Sequence, residues 1–216
     1  TGAFNQQVFG GGVDGFILKF NPQGVRLWAT YYGGTYSDIF NEIKCDSQDK
    51  IYLTGYSNST NFPVQQLTNA YWQPNSAGDF ESFILRFSNQ GVREWATYYG
   101  GSDYDMGNAI CTDHLNNLYF VGTTYSQDFP TQQMPGAYWQ ANNGGNASAF
   151  VVKFNPLSVR QSATYYGGNP GENASSVCSD SQNNIYITGK SYSSNLPLQN
   201  LAGAYNQSTI GGNGDM

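Results

Sequence analysis

Residues 28–34 read Trp-Ala-Thr-Tyr-Tyr-Gly-Gly, the same seven residues return at 95–101, and Ser-Ala-Thr-Tyr-Tyr-Gly-Gly follows at 162–168. Both steps are 67 residues. The period extends well beyond the phrase. A shift of 67 lays Phe-Ile-Leu-Lys-Phe (16–20) on Phe-Ile-Leu-Arg-Phe (83–87) and on Phe-Val-Val-Lys-Phe (150–154). It also superposes Ile51–Gly55, Leu118–Gly122 and Ile185–Gly189, and then Asn61-Phe62-Pro63, Asp128-Phe129-Pro130 and Asn195-Leu196-Pro197. The ends obey the same period, because Gly211-Gly212 with Asp215 matches Gly10-Gly11 with Asp14. The chain is therefore one segment of three repeats, about 14–80, 81–147 and 148–214, with 1–13 as the end of a preceding repeat. A fixed period of this kind governs the fold reading before any local pattern does.

Each period holds four short segments with strand character. In the first they are Phe16–Phe20, Val25–Tyr32, Ile39–Cys45 and Ile51–Tyr56, and no segment sustains a 3.6-residue apolar period. Asn21-Pro22-Gln23-Gly24 supplies a fixed φ at Pro and a positive φ at Gly, and Asp46-Ser47-Gln48-Asp49 opens on an Asx turn. Four antiparallel strands cannot bury two faces alone. Stacking around an axis solves this, and propellers are built from roughly 4–8 four-stranded blades. Common blade repeats run about 40–50 residues, so the excess here is one long connection per repeat, such as 57–80. The expected fold is all-β: a β-propeller segment of four-stranded antiparallel blades that forms a partial ring. With Ile39–Cys45 innermost and Val25–Tyr32 outermost, complete blades fall at about 38–99 and 105–166, flanked by two outer and two inner strands.

The Phe-Ile-x-Lys-Phe-Asn-Pro-x-Gly run, Ala-Thr-Tyr-Tyr-Gly-Gly, the Asp-led turn before Ile-Tyr-x-Thr-Gly, and Asn-Phe-Pro together resemble the SBBP bacterial β-propeller repeat family across essentially the whole chain. That resemblance implies a large secreted or surface-attached bacterial protein, often type IX secretion cargo of gliding and adhesive Bacteroidetes. It implies no activity for the repeat itself. The third repeat departs from the pattern at Ser162 and Leu196.

Composition narrows the partners. Only 11% of the 216 residues are charged, 39% are hydrophobic, and 17 Tyr and 13 Phe mark a folded chain. A net charge of −6 opposes nucleic acid and anionic membrane surfaces. No apolar run approaches the roughly 18 residues of a membrane-spanning helix. Cys45, Cys111 and Cys178 are expected to be reduced, buried small hydrophobes. Because the chain begins at Thr1 in mid-period, any signal or sorting segment is expected outside it.

No catalytic constellation stands out. His114 is the single histidine and lies in a tight turn, which leaves no Ser-His-Asp or Cys-His arrangement. No phosphate-binding glycine loop and no metal-ligand cluster occur, so no cofactor is expected. Function is expected on the face shared by the long connections and the crossings at 33–38, 100–105 and 167–172. Its candidate ligand-binding aromatics are Trp72, Trp139, Tyr71, Tyr138 and Tyr205, which suit sugar or peptide contact but also suit a lid over each blade's core. Tyr36, Tyr104 and Lys190 break the repeat symmetry. Asp38, Asp105 and Glu172 are equivalent acids, read either as hydrogen-bonded loop acids or as calcium ligands. The leading expectation is a non-enzymatic scaffold, adhesin or docking module partnered by other blades of a longer polypeptide and by an envelope protein or glycan. The alternatives are part of a carbohydrate-active propeller enzyme whose catalytic residues lie outside this segment, and a cargo or accessory protein bound to the type IX secretion machinery.

Overall fold

A computed structural model describes residues 2–209; the Gly211, Gly212 and Asp215 matches lie outside the described residues. Twelve strands follow in order: β1 (Gly15–Phe20), β2 (Arg26–Tyr32), β3 (Asp38–Cys45), β4 (Ile51–Ser57), β5 (Glu81–Phe87), β6 (Arg93–Tyr99), β7 (Asp105–Thr112), β8 (Leu118–Thr124), β9 (Ser148–Phe154), β10 (Arg160–Tyr166), β11 (Glu172–Ser179) and β12 (Ile185–Ser191). They form two four-stranded antiparallel sheets, β3-β4-β5-β6 and β7-β8-β9-β10, and two hairpins, β1-β2 and β11-β12. The blade boundaries therefore cut across the 67-residue repeat where the sequence places them, and the described ring is open.

The inner strands sit side by side. Asn41 on β3 donates its side-chain amide to the Gly107 carbonyl at 2.8 Å, and Asn108 on β7 makes the same 2.8 Å bond to Ala174 on β11. Adjacent Asx turns are tied too, with His114 N–H donating to Asn183 Oδ1 at 2.9 Å.

Apolar cores lie between blades, and the Tyr-Tyr phrase explains how one strand serves two of them. Successive residues of a strand point to opposite faces. On β6, Tyr98 joins Tyr32, Phe62, Phe83 and Phe87 on one side, while Tyr99 joins Phe120, Phe129, Phe150 and Phe154 on the other. All of these are buried. Burial of each such aromatic stabilises the stack by roughly 1.5–3 kcal/mol.

The long connection accounts for the excess length. After β4 it crosses to the outer strand of its own blade, where Gln65 and Ala96 exchange both main-chain bonds at 2.8 and 2.9 Å. It then turns at Leu67–Ala70, and Tyr71 N–H bonds Ser158 of the β9–β10 turn at 3.0 Å. It returns through Gln73, whose carbonyl accepts from Tyr98 N–H at 3.2 Å and whose Oε1 accepts from Gly100 N–H at 3.2 Å. Gln132 and Gln140 repeat the arrangement on β10. An outer strand is otherwise a free sheet edge, and this excursion covers it.

The cysteines differ from expectation. Cys111 is buried, but Cys45 and Cys178 are exposed, and all three are free thiols. Cys45 and Cys178 belong to β3 and β11, the first and last inner strands among the described residues.

Candidate functional site

The crossing from outer to inner strand is built around a Gly-Gly pair and an acid. Asp38 Oδ2 accepts from Gly34 N–H at 2.7 Å and from Ser59 Oγ–H at 3.0 Å. Asp105 repeats this with Gly101 N–H at 2.7 Å and Ser126 at 2.8 Å. Glu172 takes Gly168 N–H at 2.6 Å and Ser191 at 2.9 Å. Each acid thus ties the end of one outer strand to the start of the next inner strand. Burial pushes the carboxyl of Asp38 up, and that of Asp105 up to about 6. Among the described residues no group of three or more His, Cys, Asp or Glu side chains is placed to hold a metal ion, so the three acids are not brought together.

Sequence reasoning missed a second acid at this junction. Glu81 starts β5, is fully buried, and accepts from Ala77 and Gly78 N–H at 2.7 and 3.2 Å. Burial raises it to about 8. Its repeat counterparts, Asp14 and Ser148, vary in type, which hid the position.

The five aromatic candidates do not stand together on the crossing face. Tyr71 lies on the outer edge, half-buried, with its ring 4.7 Å from that of Tyr99 and the Arg160 guanidinium 4.9 Å from its centroid. Arg160 also donates to the Pro130 carbonyl at 2.9 Å and to the Tyr99 hydroxyl at 3.0 Å, and Tyr99 itself donates to Pro130 at 2.7 Å. One blade interface earlier, Phe4, Tyr32, Pro63 and Arg93 form the same clamp. Tyr138 stands 5.5 Å from Tyr166 in the equivalent place but is 53% exposed, and Tyr205 is 90% exposed. Trp72 is half-buried and Trp139 is 38% exposed. Tyr71 and Tyr138 thus stand at seams between blades. The arginines that complete them carry a sequence signal, since Arg26, Arg93 and Arg160 recur at the repeat spacing.

The crossing face carries a different aromatic row. Tyr56 packs edge-on to Phe80 at 5.7 Å, Phe80 stacks on Tyr104 at 5.6 Å, and Tyr104 meets Tyr125 at 6.3 Å. Tyr104 and Tyr125 are 41% and 39% exposed. A cleft of about 480 Å³ continues from Tyr125 to Tyr192 and Lys190. Tyr104 and Lys190, which break the repeat symmetry, both lie on this face, and Tyr36 is exposed as well.

Two stretches of the chain, residues 27–63 and 94–130, match the SBBP β-propeller repeat family. Over 151 residues the chain is 26% identical to an uncharacterized WD repeat-containing protein of Acanthamoeba polyphaga mimivirus. That similarity covers 66% of this chain and 11% of the viral protein, so the chain spans about a tenth of its relative's length.

Proposed function

We propose that this chain is a non-enzymatic β-propeller scaffold module of a larger extracellular or cell-surface protein, and that it presents its crossing face to a protein or glycan partner. The observation that carries the reading is the division of labour among its side chains. Repeat-equivalent acids and aromatics are committed to blade junctions, while the exposed rings of Tyr104 and Tyr125, with Tyr192 and Lys190, continue one another across the face that the scaffold holds rigid. Exposed rings beside amides and a single ammonium suit stacking on a sugar or clasping a peptide. The similarity to propeller and WD repeats supports the scaffold role.

Crosslinking of the parent protein on its native cells, read by mass spectrometry, tests this. Crosslinks from Lys190 to one envelope protein or glycoconjugate, lost in a Tyr104→Ala, Tyr125→Ala double variant that melts like the wild type, are the expected result. Turnover of a substrate that depends on a residue of this segment overturns the non-enzymatic reading.

A further inference from the structure

We propose that the cleft between Tyr125 and Tyr192 on the crossing face is a seat for a neutral hexose ring. The inference rests on the proposed role of that face and names the chemistry of its ligand.

Side-chain size at a blade junction makes the cleft. Shifted by 67 residues, its positions fall at the junction between the two complete blades, and there they are filled. Tyr56 meets Phe80 with ring centroids 5.7 Å apart, Phe80 stacks on Tyr104 at 5.6 Å, and Tyr104 meets Tyr125 at 6.3 Å. One junction on, Thr123, Ala147 and Gly171 hold the places of Tyr56, Phe80 and Tyr104. The main chain keeps its course. Asp105 and Tyr125 N–H donate to the Phe80 and Tyr104 carbonyls at 2.8 and 2.9 Å, and Glu172 and Tyr192 N–H donate to those of Ala147 and Gly171 at 3.4 and 3.0 Å. Three rings are thus absent from an otherwise repeated framework, and Thr123, Ala147 and Gly171 all line the cleft of about 480 Å³. That volume lies within the range of about 300–1,000 Å³ typical of ligand sites. Tyr192 is 49% exposed, close to the 39% of Tyr125, its counterpart in a complete blade, so its ring is open by virtue of its repeat position.

The lining has changed in polarity as well as in size. Asn173 stands where the first junction has Met106, and Ser175 Oγ–H donates to Asn173 Oδ1 at 3.0 Å, which orients that amide. Asn146 is fixed at the rim by its N–H bond to the Pro170 carbonyl at 2.9 Å and is exposed. A Cβ on Gly171 would lie 2.8 Å from the Ala147 carbonyl oxygen, so the floor between them is bare main chain. The Glu172 carboxylate is engaged by Gly168 N–H and Ser191 Oγ–H, and the chain's net charge of −6 opposes an anionic guest. An aromatic side chain of a protein partner would refill the space but would press the amides and the Thr123 hydroxyl against an apolar ring, at a desolvation cost. A hexose ring meets both demands, because its C–H faces lie against the tyrosine rings while its hydroxyls bond the amides and the floor carbonyls.

Saturation-transfer NMR on the parent protein tests this, with trimers of glucose, mannose, galactose and N-acetylglucosamine as probes and a capped Tyr-Phe dipeptide as their aromatic counterpart. At least one trimer is expected to receive saturation on its ring C–H protons. Ala147→Phe, which restores the ring of Phe80, and Tyr192→Ala, on an exposed side chain, should each weaken that binding by about tenfold or more with an unchanged thermal melt. Tyr36→Ala, exposed but outside the cleft, should leave it unchanged. A protein that saturates none of the trimers, or binds them equally well in the Ala147→Phe and Tyr192→Ala variants, overturns the sugar seat. Saturation of the dipeptide alone, lost in Ala147→Phe, overturns the sugar and gives the cleft to a peptide. Crosslinks from the crossing face to a partner that survive Ala147→Phe overturn the seat while keeping the crossing face as the docking surface, whereas their absence in the wild type overturns that reading itself.

Discussion

Glu81 and Asp105 meet at Gly100: Glu81 Oε1 and Asp105 Oδ2 lie 1.9 and 2.4 Å from the point a Cβ on that glycine would occupy. Glu81 Oε1 and Asp105 Oδ1 are both buried. Two buried carboxyls so close resist being ionised together.

This pair makes stability fall as pH rises. In the folded chain burial holds Glu81 near 8 and Asp105 near 6, while the unfolded chain returns both to ordinary carboxylate values. Folding therefore takes up protons over the intervening range. The stabilising contribution is complete below the ordinary carboxylate range and is lost as pH climbs through about 6 and then about 8. Glu81→Gln keeps an acceptor for Ala77 and Gly78 and gains a donor toward Asp105. It should flatten the pH dependence and stabilise the chain at alkaline pH by roughly 1–3 kcal/mol. Urea midpoints measured at acid and alkaline pH check this, and parallel pH profiles for the two proteins would refute it.

Arg160→Ala should destabilise by about 2–3 kcal/mol, because it removes charged hydrogen bonds to Tyr99 and Pro130 together with a cation held over the buried Tyr99 ring and the half-buried Tyr71 ring. Arg160→Lys should recover less than half of that loss, since an ammonium cannot bond two acceptors in the plane of the guanidinium fork. Arg26→Ala, at the same repeat position but exposed, should cost under about 0.5 kcal/mol in the single chain. Chemical denaturation of the three variants checks the order.

Much of this architecture was legible from Trp-Ala-Thr-Tyr-Tyr-Gly-Gly and its spacing, because strand alternation, turn chemistry and repeat length are local properties. The blades at 38–99 and 105–166 and the inner place of the Asp38–Cys45 strand needed only those properties and the general form of propellers. The path of the long connection was not legible. Its course depends on isolated main-chain bonds from Gln65 and Gln73 to β6, which leave no alternating pattern in the sequence. That excursion carries Tyr71 to the β9–β10 turn, away from the crossing face where sequence reasoning placed it. Glu81 escaped notice because acids at scattered positions reveal a pair only once the chain has closed around Gly100. The exposure of Cys45 and Cys178 follows from which blades flank them, a property of the assembly and not of the repeat.

The thiols should report that assembly directly. Burial pushes the Cys111 thiol up to about 12, so it is both covered and protonated, whereas Cys45 and Cys178 face solvent. Iodoacetamide at neutral pH should label Cys45 and Cys178 in the native chain and Cys111 only after denaturation. Peptide mass spectrometry reads the result, and rapid native labelling of Cys111 would contradict the packing of β7 between its neighbours.

Phe129 and Leu196 occupy the same repeat position but differ in what surrounds them. Phe129 is 3% exposed and touches Tyr99, Phe150 and Tyr165, with ring centroids 5.2, 4.7 and 5.8 Å away. Truncation to Ala opens a cavity that rigid strands on both sides cannot close, and should cost about 3–5 kcal/mol. Leu196 borders a cavity that already exists, so Leu196→Ala should cost under about 1 kcal/mol in the single chain. Thermal melts of both variants at low protein concentration separate these values. Equal losses would mean that Leu196 is packed as tightly as Phe129, contrary to the cavity it borders.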